Sequence, residues 1–203
     1  MTTSIDLAEL VRRINEPTPR HSVRVVAIDG LAGAGKSTLA RLLAERLGGA
    51  AIIPMDDFLA WDDITTFVPR LEAQVLAPLL RGEGIRYQQR DWANDWAGRS
   101  LGPWRAVPFS PTVIFDGVSA ARREIAQYLS YAVWVETPPE ACVRRGIERD
   151  GEGARALWEG FTPRLLRFFE EDGTRERADL VVDGQVPFDG AEGIAVLRSG
   201  PLG

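Results

Sequence analysis

Leu7, Leu10, Val11 and Ile14 recur at the three- and four-residue spacing of one helical face, which predicts a helix over residues 4–16 that Pro17 and Pro19 end. Residues 23–28 are a continuous apolar, β-branched run, the pattern of a strand buried on both faces of a parallel sheet. A glycine-rich turn follows, then a helix over 36–47, a short strand over 50–55 and a helix over 69–81 closed by Gly82 and Gly84. Residues 85–108 mix Trp, Asp, Arg and Pro without clear periodicity. They read as an excursion on the substrate side holding one short hairpin. The alternation then resumes with a strand over 112–115, a helix over 119–129, a strand over 131–135 and a helix over 139–150. A helix over 154–171, broken at Pro163, and a strand over 180–182 complete it, and the Gly-rich tail carries no assignable element.

Strands alternating with helices imply an α/β fold, a parallel five-stranded sheet with helices on both faces. With no repeat, low-complexity tract or linker, residues 1–203 read as one domain. At 203 residues and 45% hydrophobic content the chain can bury one core, and two full domains are not expected. The net charge of −5 argues against nucleic acid as the main partner, because a phosphate backbone needs a basic surface. No run of eighteen apolar residues predicts a membrane span, and residues 1–16 lack the apolar core of a secretory signal. The single cysteine, Cys142, and single histidine, His21, exclude an intrachain disulfide and a Cys/His zinc site. These features predict a cytoplasmic protein, alone or as a homo-oligomer.

Gly30 to Ser37, with Gly33, Ala34 and Gly35 between and Lys36 before the serine, fits G-x-x-x-x-G-K-[ST] between a predicted strand and a predicted helix. Glycines let successive backbone N–H groups turn inward around phosphates, and the helix starting through Thr38 adds its dipole. Lys36 places a point charge at the β- and γ-phosphates, and the Ser37 hydroxyl ligates Mg²⁺. The fold class is therefore a P-loop NTPase, and the expected cofactors are ATP and Mg²⁺.

Acids cluster where strands of such a sheet end, the side on which its ligands collect. Asp56 and Asp57 follow the second strand, where a carboxylate can take a substrate proton or hold a metal-bound water; a solvated acidic turn would look the same. The apolar run before Asp116 has the pattern of a strand whose terminal acid supports the Mg²⁺ shell. Arg144, Arg145 and Arg149 lie on the helix after the fourth strand, with Arg155, Arg164 and Arg167 on the next. Residues 144–171 thus predict a small helical lid whose guanidinium groups either clamp a transferring phosphoryl group or pair with Glu148, Asp150 and Glu152. Trp92, Trp96 and Trp104 form either an aromatic pocket or packing within the excursion. Cys142 reads as inert packing.

The segments IDGLAGAGKSTLA, PMDDFL, VLAPLLRG, RYQQRDW, TVIFDGV, RRGIERD and ERADLVVDG, in this order over residues 26–184, resemble the uridine kinase-like P-loop kinases, a group that includes phosphoribulokinase and bacterial pantothenate kinase. The resemblance implies Lys36 and Ser37 on nucleotide and Mg²⁺, and Asp56 as the catalytic carboxylate. It implies Asp62 on the acceptor's hydroxyls, Asp91 and Trp92 in the acceptor pocket, and Arg145 and Arg149 in the lid. It also places Asp116 where the family usually has Glu. The chain departs from the family at Arg90 and Asp95, which stand where uridine kinases carry a Tyr and a His that read the pyrimidine. It departs again at Leu59 and Cys142. Arg90 suits an anionic acceptor or a pair with Asp95, and either way uridine and cytidine are expected to be poor acceptors. The sequence thus reads as a small-molecule kinase, with an ATP-dependent switch protein as the competing reading; an N-K-x-D guanine motif is missing.

Overall fold

Asp6 decides where the first helix begins. Its carboxylate accepts from the Glu9 N–H (2.7 Å), the cap that stops a helix running further back. The residues before it pair instead as a strand, β1 (Thr3–Ile5), and the helix, α1, covers Leu7–Asn15. The structure, a computed structural model, describes residues 3–19, 21–188 and 193–200.

Beyond α1 come β2 (Arg24–Asp29), α2 (Lys36–Arg46), β3 (Ala51–Pro54) and one 3₁₀ turn (Met55–Asp57). A continuous helical stretch follows, α3 (Val68–Leu71) and α4 (Ala77–Leu80) joined by a π turn (Glu72–Leu76). The excursion is a two-stranded antiparallel hairpin, β4 (Ile85–Arg90) and β5 (Leu101–Val107). The chain then runs through β6 (Thr112–Asp116), β7 (Tyr131–Glu136), α5 (Pro139–Asp150), α6 (Arg155–Asp172), α7 (Thr174–Arg177), β8 (Leu180–Asp183) and β9 (Ile194–Ser199).

The main sheet has the order β1-β9-β8-β7-β2-β6-β3. Its five strands β8, β7, β2, β6 and β3 are parallel, as expected from the sequence. The sheet is larger than expected, with seven strands, because β9 returns antiparallel along β8 and β1 pairs with β9. Alternate side chains of a strand face opposite ways. Every residue of β2 from Val25 to Asp29 is buried, so both faces of the sheet are covered at its centre. Ile28 and Pro54 both lie opposite Asp116 in register, which brings the ends of β2, β3 and β6 together.

Two helical expectations fail. Residues 119–129 give only a 3₁₀ turn (Arg123–Tyr128), because the N–H groups of Ser119 and Ala121 are taken by the Asp29 carboxylate (3.0 and 2.8 Å) and Ser119 adopts φ +64°. Helix α6 is not broken at Pro163 but runs through it, held by Phe161, Leu165 and Phe169 buried in the core. No described helix is long and apolar enough to cross a membrane.

Candidate active site

The phosphate loop is shaped by its neighbours. Gly30 has φ +143° and Gly33 φ +83°, and a Cβ on either would stand 2.5 Å from a backbone oxygen, that of Val135 on β7 or of Cys142 on α5. Only glycine permits that approach. Lys36, at the start of α2, is buried, and its Nζ donates to the carbonyls of Gly30 (3.0 Å) and Leu31 (2.7 Å). The loop is therefore already closed around its own ammonium. Gly33, Gly35, Lys36, Ser37 and Thr38 all line a cavity of about 690 Å³. Gly30 and Ala34 sit behind it; the Ala34 carbonyl accepts from the Thr137 hydroxyl (3.1 Å).

Asp116, at the end of β6, lines the same cavity as Ser37. Burial raises its carboxyl above the usual range, against the pull of Ser37, Lys36 and Arg41. Its Oδ1 is buried with no hydrogen-bond partner among the described residues. An orphaned carboxylate oxygen beside a serine hydroxyl is a hard-oxygen donor set that suits Mg²⁺, an ion that takes one or two protein ligands and completes its shell with water and phosphate oxygens. Among the described residues no group of three or more His, Cys, Asp or Glu could hold a metal by itself, so an ion here would rest largely on the nucleotide.

Asp56 also opens into this cavity. The residue as a whole is exposed at the cavity mouth, yet desolvation of its carboxyl raises it above the ordinary value; Lys36 and Arg149 oppose the rise, and Asp116 and Asp57 add to it. The backbone that carries Asp56 is held at three successive carbonyls. Trp92 Nε1 donates to Asp56 O (2.9 Å), Arg70 Nη2 to Asp57 O (2.9 Å), and Arg90 Nε and Nη2 to Phe58 O (3.2 and 3.0 Å). The hairpin and α3 thus fix the backbone that carries Asp56.

On the lid side, Arg145 and Arg149 of α5 line the cavity. Arg145 Nη1 donates to Gly184 O (3.1 Å), and Arg149 forms a two-pronged pair with Asp150 (2.7 and 3.0 Å). Arg41 of α2 adds a further guanidinium to the lining, and much of the remaining wall is aromatic, made by Trp61, Trp92, Trp96, Trp158 and Phe161. Trp61 and Phe161 were not singled out from the sequence, where a lone ring carries no pattern. Trp104 lies outside, exposed beneath the Arg86 guanidinium (4.7 Å). Buried Cys142 has its thiol pushed up to about 11, which keeps it protonated and inert.

Four residues expected to hold the acceptor or the metal are not at the cavity. Asp57, read as a metal ligand, is buried against the hairpin and accepts from Tyr87 Oη (2.8 Å) and Gln89 Nε2 (3.1 Å). Asp62 is exposed and pairs with Arg99. Arg90 is spent on the carbonyls of Phe58 and Arg99. Asp91 caps the hairpin turn through Asn94, as Asp95 does through the N–H groups of Ala97, Arg99 and Ser100. Arg90 and Asp95 therefore do not pair with each other, and neither lines the cavity. Asp57→Asn is expected to lower stability by about 1–3 kcal/mol, since one of its buried acceptors becomes a donor facing donors. Urea denaturation checks this, and the Mg²⁺ dependence of activity should be unchanged.

Asp29 escaped notice in the sequence because it reads as the last residue of an apolar strand. It is fully buried and accepts from the N–H groups of Gly30 (2.7 Å), Ser119 (3.0 Å) and Ala121 (2.8 Å), tying the phosphate loop to the loop after β6. Burial outweighs those bonds and lifts its carboxyl from 3.8 to about 6. Between those values the native state holds a proton that the unfolded chain has released. This group's contribution therefore falls as pH rises through that window, by up to about 3 kcal/mol. Asp29→Asn should destabilise the chain by about 1–3 kcal/mol, and by more at about pH 4.5 than at about pH 7.5. Equal deficits in paired denaturation curves would contradict this.

No family model matches the sequence, and no curated protein sequence matches it. Among solved structures the chain is similar to a possible uridine kinase from Bacillus stearothermophilus, with a TM-score of 0.62, 20% identity and coverage of 86% of this chain and 95% of that one. It is also similar to a candidate fructose transport system kinase from Silicibacter sp. TM1040, with a TM-score of 0.58, 23% identity and coverage of 83% and 95%. What this likeness establishes is the fold: a mostly parallel sheet with helices, in the arrangement of those two structures.

Proposed function

We propose that this chain is an ATP- and Mg²⁺-dependent kinase that transfers the γ-phosphoryl group to a hydroxyl of a small molecule, of nucleoside, sugar or vitamin-like size. One observation carries the reading: Asp56 opens into the same cavity as Lys36, Ser37 and Asp116, so a candidate proton acceptor and a phosphate cradle share one space.

The chemistry follows from the residues. Lys36 gives up its carbonyl partners for the phosphate oxygens and neutralises charge that grows as the terminal phosphoryl group leaves. Ser37 and Asp116 would hold Mg²⁺, which supplies further neutralisation when bound. Asp56 accepts the proton of the acceptor hydroxyl, and its raised carboxyl makes it a stronger base than an ordinary aspartate. Arg145 and Arg149 flank the transfer path from α5, where guanidinium groups stabilise the spread charge and close the site to water. The aromatic wall leaves room for the body of the acceptor.

The test is ADP release followed with a panel of nucleosides, sugars, sugar phosphates and vitamins. Steady ADP formation that depends on one added compound is the expected result. Nucleotide turnover that ignores every compound would instead indicate a switch protein.

A further inference from the structure

A base works only where its carboxylate is aimed, and the aim of Asp56 is set by its backbone. The segment that carries it is one 3₁₀ turn, Met55–Asp57, too short to hold itself. The direction of a Cα–Cβ bond is fixed by the two peptide planes that meet at the Cα. At Asp56 the first plane, between residues 55 and 56, is tied through Met55 O, which accepts from the N–H groups of Phe58 (2.9 Å) and Leu59 (3.1 Å). The second plane, between residues 56 and 57, is tied through Asp56 O, which accepts from Trp92 Nε1 (2.9 Å). Arg70 and Arg90 hold the carbonyls of Asp57 and Phe58, whose planes border the residues that follow. Of the three side chains on this turn, the indole is the one that acts at the Asp56 Cα.

Trp92 is itself seated. Gly98, in the connection between β4 and β5, has φ +71°, and a Cβ there would stand 2.3, 2.6 and 2.9 Å from three carbons of the Trp92 six-membered ring. Only glycine leaves the ring its place. The Gly98 N–H donates to Asp95 O (2.9 Å), and the Asp95 carboxylate accepts from the N–H groups of Ala97, Arg99 and Ser100. The connection is thus folded on itself into a socket for the indole. Gly98 is buried and does not line the cavity.

We infer that Trp92 is a positioning residue for phosphoryl transfer: seated by Gly98, its indole N–H fixes the peptide that sets the direction of the Asp56 carboxylate. The inference rests on the kinase reading and adds a residue that acts through the base.

Trp92→Phe keeps a ring and removes the donor. With the compound that drives ADP release, kcat should fall about 10–100-fold and KM for ATP should stay unchanged, the cost of a misplaced reacting group. In an Asp56→Asn background the same substitution should cost nothing further, because no base remains to be aimed. Gly98→Ala displaces the ring from outside the cavity and should show the same loss with the same dependence on Asp56. Equal losses in both backgrounds would overturn the inference and leave the kinase reading intact. A second measurement needs no turnover. The ¹⁵N relaxation order parameter of the Asp57 amide, the N–H of the 56–57 peptide, should drop in Trp92→Phe from the rigid range near about 0.85 toward about 0.6. The amides of β2 and β6 should not change. An Asp57 amide as rigid as in wild type would overturn the inference whatever the activity. If no compound drives ADP release by wild type but the Asp57 amide loosens in Trp92→Phe, the kinase reading fails and Trp92 stands as the residue that sets the Asp56 backbone.

Discussion

Lys36→Ala is expected to reduce phosphoryl transfer by at least about 10²–10³-fold while the chain stays folded. The reduction follows from the position of Nζ, inside the phosphate loop on the carbonyls of Gly30 and Leu31 and on the wall of the cavity. Without it nothing in the loop supplies a full positive charge to the leaving phosphates. The fold survives because the two freed carbonyls belong to a loop beside the cavity, where water can serve them. A thermal melt close to that of wild type, together with lost transfer, is the signature. Full activity of the variant in a metal-replete assay would show that the nucleotide sits elsewhere.

Asp56→Asn carries the second large effect. The amide keeps the shape and removes the proton acceptor, so kcat should fall about 10²–10⁴-fold with ATP affinity little changed. The wild-type pH profile carries the same information. In the proposed reaction Asp56 acts as a carboxylate, and desolvation at the cavity wall raises its carboxyl above the ordinary range, with Lys36 and Arg149 opposing the rise. Activity should therefore fall as pH drops through a value displaced upward from that of a free aspartate, and this acid limb should be absent from the residual activity of the variant. A variant with near wild-type kcat would remove Asp56 from the chemistry.

Much of this arrangement is visible in the sequence because it is local. The phosphate loop needs glycine where backbones approach closely and a lysine at the head of a helix, and those demands fall within eight consecutive positions. Asp56 and Asp116 are legible for a similar reason: each sits within two residues of the carboxyl end of an apolar strand, and a parallel sheet gathers such ends on one side. The hairpin is different. Asp57, Asp62, Arg90 and Asp91 have the right residue types near the right motif, yet their partners lie elsewhere in the chain: Tyr87 and Gln89 for Asp57, Arg99 for Asp62, Phe58 O for Arg90. Adjacent residues at a strand end point in different directions, so Asp56 and Asp57 look equivalent in sequence and are not in space. Arg90 and Trp92 matter through the backbone they hold, a role that side-chain chemistry alone does not announce. Asp29 was hidden by its length of apolar neighbours, and its effect on residues 117–122 is what turned a predicted helix into a loop. The edge strands β1 and β9 are three and six residues long and pair with each other and with β8, a contact between the two ends of the chain that no local pattern encodes.

The central claim is that a phosphoryl donor and a hydroxyl acceptor meet in one cavity. The most direct measurement is the fate of the γ-phosphate: incubate the chain with γ-labelled ATP, Mg²⁺ and the alcohol that best drives ADP release, then separate inorganic phosphate from organic phosphate by mass spectrometry. Label in a single phosphate ester of that alcohol, absent with Lys36→Ala, is the result this account predicts. Label found only in inorganic phosphate, at a rate indifferent to the alcohol, would contradict it.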